Sequence, residues 1–279
     1  MTNRREFLGV TVGTALLGSG LLNGTTPGQC QPPARDIHAE LMQGWQGNEA
    51  IAMVLYDGFT LLDFFGPHHM FLLMSGAKLH LVSASLEPLK SEGGIEIRPT
   101  MTFDECPQEL DVLFVPGGTE GTLKAMEDRR TLDFLADRAE HTKWISSVCT
   151  GSLLLAAAGL LDGYRATSHW LARPALSQFG STPVDERVVI DRNRITGAGV
   201  TAGMDLGLTL VGKLRGDTFA QAAQLFAEYD PRPPYHSGSC LTAPPEIVTL
   251  LREMHTPFTD KVAAIAAKKQ QSSAKTDPQ

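Results

Sequence analysis

The run from Lys143 to Ser152 brings an apolar, strand-like segment to a stop at Cys149, and a small-residue helical pattern, Leu153 to Gly159, begins at once. A strand that feeds a helix through so tight a turn lifts the turn residue over the sheet edge, where the unpaired N–H groups of the first helical turn gather partial positive charge. Such a position stabilises a thiolate, so Cys149 is expected to have a lowered pKa and to act as a nucleophile. A buried, inert cysteine would fit the same local pattern. Asp63 stands between Leu61-Leu62 and Phe64-Phe65, an apolar neighbourhood in which a carboxylate is costly unless it is paired, protonated or at work. Gly66-Pro67 downstream keeps a helix-capping role open for it. Gly117 and Gly118 follow the apolar run Asp111 to Val115; without a Cβ they let backbone N–H groups approach a substrate or a developing charge, although a tight turn alone would also ask for glycine. Thr150, directly after the cysteine, offers an N–H and a hydroxyl beside the reacting atom, or simply a residue suited to a first helical turn. Asp205 reads as a cap or an ion-pair partner.

Elements that would position these residues can be read from the hydrophobic pattern. Ala50 to Tyr56, Leu79 to Ala84, Asp111 to Val115 and Trp144 to Val148 read as buried strands; Leu61 to Met74, Thr131 to His141 and Thr150 to Leu160 carry helical spacing between them. This alternation predicts a mostly parallel sheet covered on both faces, a three-layer α/β sandwich. A hairpin is expected at Arg187 to Asp191 and Arg194 to Ala198, then a long helix from Ala202 to Leu214. In such open sheets the site lies beyond the carboxyl ends of the strands, where Cys149, Gly117 and Gly118 all fall.

Composition narrows the partners. The 279 residues are 42% hydrophobic and 20% charged with a net charge of -7, ordinary for a globular chain and without a basic field for nucleic acid, so a small-molecule substrate is expected. Residues 1–48 read as a twin-arginine signal peptide and linker: Arg4-Arg5 precede Phe7-Leu8 and a glycine-broken apolar run, Val10 to Leu22, too short for a stable membrane span. A periplasmic location follows as an expectation, with no span left after signal removal. Because this route carries folded proteins out of a reducing cytoplasm, the fold is not expected to depend on disulfides among Cys30, Cys106, Cys149 and Cys240. No C-x-x-C or clustered His/Cys spacing points to a metal site. Residues 49–255 are read as one domain and 256–279 as a C-terminal tail, a helix end with a frayed terminus.

Several ordered blocks carry a family likeness: Val148-Cys149-Thr150-Gly151-Ser152, Ala157 to Gly163, Arg165 to Trp170, Val115 to Gly118, Leu62 to Pro67, Thr196 to Asp205 and Glu228 to Pro234. Together they resemble the ThiJ/PfpI superfamily, whose class I glutamine-amidotransferase-like fold is flavodoxin-like with a cysteine nucleophile elbow, and within it the bacterial isonitrile hydratases. The resemblance implies Cys149 as nucleophile, Asp63 as the catalytic acid, Thr150 as a residue needed for activity, and Gly117, Gly118 and His169 as substrate-binding or oxyanion residues. It implies a lyase that adds water to an isonitrile to give an N-substituted formamide through a Cys149 thioimidate, without metal or organic cofactor, in a homodimer. Many superfamily members carry a histidine near the cysteine at the spacing of His169, so a glyoxalase-like or amide-hydrolysing Cys-His enzyme is the alternative, as is a redox-sensing or protective module without turnover. Ligand-sensing halves of transcription regulators also resemble this domain, but too few residues follow Tyr235 for a helix-turn-helix pair.

Overall fold

The computed structural model describes Met42 and residues 45–276, with side chains to residue 271. The twin-arginine segment and Cys30 lie outside the described residues. A seven-stranded sheet is built from β1 (Ala50–Val54), β2 (Lys78–Ser83), β3 (Met101–Thr102), β4 (Leu110–Val115), β5 (Thr142–Val148), β6 (Val188–Asp191) and β7 (Arg194–Gly197). Its order is β6-β7-β5-β4-β1-β2-β3. All neighbours are parallel except the β6–β7 hairpin. Residues 51–54 of β1 and 112–115 of β4 have no solvent exposure, because a central parallel strand is covered on both faces and tolerates little but apolar side chains.

Helices α1 (Leu61–Leu72), α5 (Ala202–Arg215) and α6 (Asp217–Phe226) pack together as one layer. The other layer consists of α2 (Glu120–Glu127), α3 (Arg129–Ala139), α4 (Gly151–Ala157) and α7 (Pro245–Thr276). The expected parallel three-layer α/β sandwich is therefore present. Close approach of α1 to α5 depends on small residues: a Cβ at Gly207 would stand 2.9 Å from Met70 Cβ. That contact sets the spacing of α1, whose first turn carries Asp63, from α5.

At the far end of α5 the Arg215 guanidinium is almost fully enclosed and holds Glu49 by two hydrogen bonds of 2.9 and 2.6 Å. It also donates to Trp45 O at 2.6 Å and Ser75 O at 2.8 Å. A buried bidentate pair with its further donors satisfied ties the start of the domain to the sheet.

One boundary is corrected. The expected tail from residue 256 is the middle of α7, and the helix runs unbroken across that point. Phe258, Val262, Ile265 and Ala266 are buried in the core, a stripe at i, i+4, i+7 and i+8. Lys261 and Lys268 pair with Glu120 and Glu127 of α2 at 2.7 and 2.9 Å. Among the described residues no helix is long and apolar enough to cross a membrane.

Candidate active site

Cys149 occupies the turn between β5 and α4 with φ +56°, a left-handed conformation that is uncommon outside glycine and persists only when the surroundings enforce it. They do so here from both sides. Its N–H donates to Gly197 O and Ala198 O at 3.1 and 2.7 Å, and its carbonyl accepts from Ser152 Oγ and Ser168 Oγ at 3.1 and 2.9 Å. The thiol is buried, with the N–H groups of Thr150 and Val200 directed at the sulfur and the Asp63 carboxyl beside it.

The expected low thiol pKa is not what this setting produces. Burial pushes the Cys149 thiol well above its ordinary value, and the Asp63 charge pushes it further; the two N–H groups oppose this without reversing it. The helix terminus is present, but desolvation and a neighbouring carboxylate outweigh it.

Asp63 lies in the first turn of α1 with Thr60 at the cap position, so it is not the N-cap. It has no solvent exposure. Its Oδ2 accepts from Gly117 N at 3.0 Å, whereas Oδ1 has no conventional hydrogen-bond partner. Burial raises its pKa to about 7, against the lowering effect of the Cys149 thiol and Gly117 N–H; the Glu92 charge adds to the rise. Glu92 is held near the site by Thr60 Oγ1 at 2.8 Å and by Thr119 N. Phe64 is buried and packs edge-on against Phe59, but Phe65 is 42% exposed. Only one of the two phenylalanines expected to wall Asp63 therefore faces inward, because successive helical residues point about 100° apart.

Gly117 is a glycine for a steric reason. A Cβ there would come within 2.6 Å of Asp63 Oδ2 and 2.7 Å of both Thr150 N and Thr150 Oγ1, so the acid and the hydroxyl converge on the space that it leaves free. The two glycine N–H groups are already committed, Gly117 to Asp63 and Gly118 to Thr150 Oγ1 at 2.8 Å. They position these side chains and are not free to hold an oxyanion, as the sequence reading had them. Thr150 makes no side-chain cap on α4; its hydroxyl reaches across to Gly118 O at 2.6 Å and to Thr122 Oγ1 at 3.1 Å.

His169 flanks this cluster without a hydrogen bond to Cys149, Asp63 or Thr150. Its ring lies against Gly199, where a Cβ would be 2.8 Å from Cδ2, and Nδ1 accepts a long 3.4 Å bond from Leu171 N. Burial, reinforced by His255 of α7, lowers its pKa to about 4, so the ring is neutral. His169 shares no hydrogen bond with Cys149, and Asp205 pairs with Arg187 as a structural ion pair. Tyr56, Thr122, Ser168 and Val200 also touch the site machinery and escaped the sequence reading. Tyr56 left a trace, a polar-tipped residue ending an apolar strand; the other three are conspicuous only in three dimensions. Cys106, Cys149 and Cys240 are unpaired.

A model of the DJ-1/PfpI family matches residues 49–213, more than half the chain and all the residues just described around Cys149. The chain belongs to the DJ-1/PfpI family. Among its relatives in that family, isonitrile hydratase of Pseudomonas putida is 43% identical over 221 residues, covering 77% of this chain and 96% of that protein. The crystal structure of a ThiJ/PfpI family protein from Pseudomonas syringae superposes with a TM-score of 0.80 at 52% identity, covering 85% of this chain and 98% of that one. The HTH-type transcriptional regulator GbdR of Pseudomonas aeruginosa is 34% identical over 182 residues, 62% of this chain but only 49% of the regulator. The DJ-1/PfpI likeness to regulators thus extends over about half of their length.

Proposed function

We propose that this DJ-1/PfpI protein is an isonitrile hydratase-like enzyme that converts R–N≡C and water into R–NH–CHO. The observation that carries the reading is the enclosed Asp63 carboxyl, raised to about 7 and placed against the Cys149 thiol. The 43% identity to the Pseudomonas putida enzyme over nearly its whole length supports it.

The chemistry needs a nucleophile and a proton at the same carbon, and the pair supplies both. The pair reacts when its single proton has passed from sulfur to Asp63: the Cys149 thiolate bonds to the terminal isonitrile carbon while that proton passes to the same carbon. The product is a thioimidate, R–N=CH–S, beside an ionised Asp63. Asp63 then takes a proton from water as the water oxygen adds to the carbon, and returns it to nitrogen. Loss of the hydroxyl proton to Asp63 as the C–S bond breaks releases the formamide and restores the pair. Atoms and protons balance with no other reactant.

The cysteine-histidine alternative finds less support, since His169 is neutral and shares no hydrogen bond with Cys149. Export through Arg4-Arg5 to the periplasm and assembly as a homodimer belong to the same proposal. Formamide production by purified variants tests the reaction. Asp63→Asn keeps shape but carries no transferable proton, so kcat should fall by about 10²–10⁴, while His169→Ala should cost much less. An Asp63→Asn enzyme working near the wild-type rate overturns the mechanism, and a crippled His169→Ala enzyme transfers the case to the alternative.

A further inference from the structure

Behind Thr150 a file of hydroxyls runs away from the sulfur. Tyr56 Oη lies 2.8 Å from Pro116 O and 2.9 Å from Thr122 Oγ1. Thr122 Oγ1 lies 3.1 Å from Thr150 Oγ1, which in turn lies 2.6 Å from Gly118 O. Between the two carbonyls there are thus four oxygen–oxygen links and only three hydroxyl protons to fill them, one per side chain. One link is always without a proton, and the vacancy can sit at any of the four.

Thr122 controls where it sits. Its side chain has no solvent exposure, so its one proton goes to Tyr56 or to Thr150 and not to water. When Thr122 donates to Thr150, the Thr150 oxygen accepts from both Thr122 and the Gly118 N–H. The Thr150 proton can then point to Gly118 O or turn towards a molecule bound at Cys149, in the space kept free by Gly117. Turning it takes that proton out of the file and opens a second vacancy, at the Gly118 carbonyl, while each of the three hydroxyls still donates to a partner.

We propose that Thr122 is a positioning residue: backed by Tyr56, it holds the Thr150 oxygen as an acceptor, so that the Thr150 O–H can swing from Gly118 O to the thioimidate nitrogen as negative charge gathers there. This rests on the hydratase reading and adds to it a residue that touches no substrate. A hydrogen bond aimed at developing charge accelerates the step that creates the charge, and it does so best when its geometry is set beforehand.

The test is a set of four variants: Thr122→Val, Thr122→Ser, Thr150→Val and the Thr122→Val/Thr150→Val double. Thr122→Val should lower kcat for formamide formation about tenfold, the equivalent of one ordinary hydrogen bond, and leave KM within about twofold. Thr122→Ser, which keeps the hydroxyl, should recover most of the rate. The double variant should be no slower than Thr150→Val alone, because Thr122 acts only through Thr150. Equal losses in Thr122→Val and Thr122→Ser, or fully multiplicative losses in the double variant, overturn the proposal. A second readout needs no substrate. The Gly118 amide, which donates to Thr150 Oγ1, should shift in the ¹⁵N–¹H spectrum of Thr122→Val and keep its position in Thr122→Ser. A wild-type protein silent towards isonitriles defeats the hydratase reading; a Gly118 resonance unmoved in Thr122→Val defeats this one.

Discussion

Asp63, on the helix after β1, and Cys149, at the end of β5, share one enclosed volume, so the titration of each depends on the charge of the other. Asp63 is held near 7 in the folded chain against an ordinary value of 3.8. Between those values the folded state binds more protons than the unfolded one, so stability declines as pH rises from about 4 to about 7, by up to about 4 kcal/mol. Urea unfolding at pH 5 and pH 8 should show that decline in the wild type and a much smaller one in Asp63→Asn; equal declines would place the proton on another group. The same variant bears on the thiol. Because the Asp63 charge raises the Cys149 pKa, its removal should expose more thiolate, and iodoacetamide should label Cys149 faster in Asp63→Asn than in wild type at pH 8. Slower labelling would mean that Asp63 activates the thiol as a base. The sequence disclosed the two partners but not this balance. A strand stopping at Cys149 and an acid set among leucines and phenylalanines are local patterns, whereas the repulsion between them is a distance, and distance across two elements is not written in spacing.

At the scale of elements, β1, β2, β4 and β5 were legible because central parallel strands read as unbroken apolar runs, and the β6–β7 hairpin because Arg192-Asn193 separates two short ones. The helix α7 was legible only as a helix end, not as a part of the core. Its alanines, lysines and glutamines resemble a loose end, and Pro257 falls inside it; its meaning lies in four apolar positions on one face. Those four side chains predict a measurable outcome. A chain ending at Thr256 loses the burial of Phe258, Val262 and Ile265, each worth about 1.5–3 kcal/mol, a total comparable with the stability of a whole domain. Thermal unfolding of that truncated chain should show a large drop in Tm or no cooperative transition at all. A melt like that of the full chain would make α7 a dispensable appendage.

For the whole molecule, the sheet order puts the ends of β1, β4 and β5 side by side, which is why residues 56, 63, 117, 122, 149 and 150 meet although the chain scatters them. The proposed export would act on this finished object. If Arg4-Arg5 are the signal, replacing both with lysine should leave the protein in the cytoplasm, as cell fractionation would show; unchanged delivery to the periplasm would remove that reading. The buried Arg215 guanidinium then determines where such a leader can be cut. A processing protease needs several residues of loose, extended chain on both sides of its target bond. A protein that crosses the membrane already folded presents Trp45 to Glu49 gripped from behind by Arg215 through Trp45 O and the Glu49 carboxylate. That stretch is closed to a peptidase, so the intact mass of the periplasmic form should place its first residue upstream of Trp45.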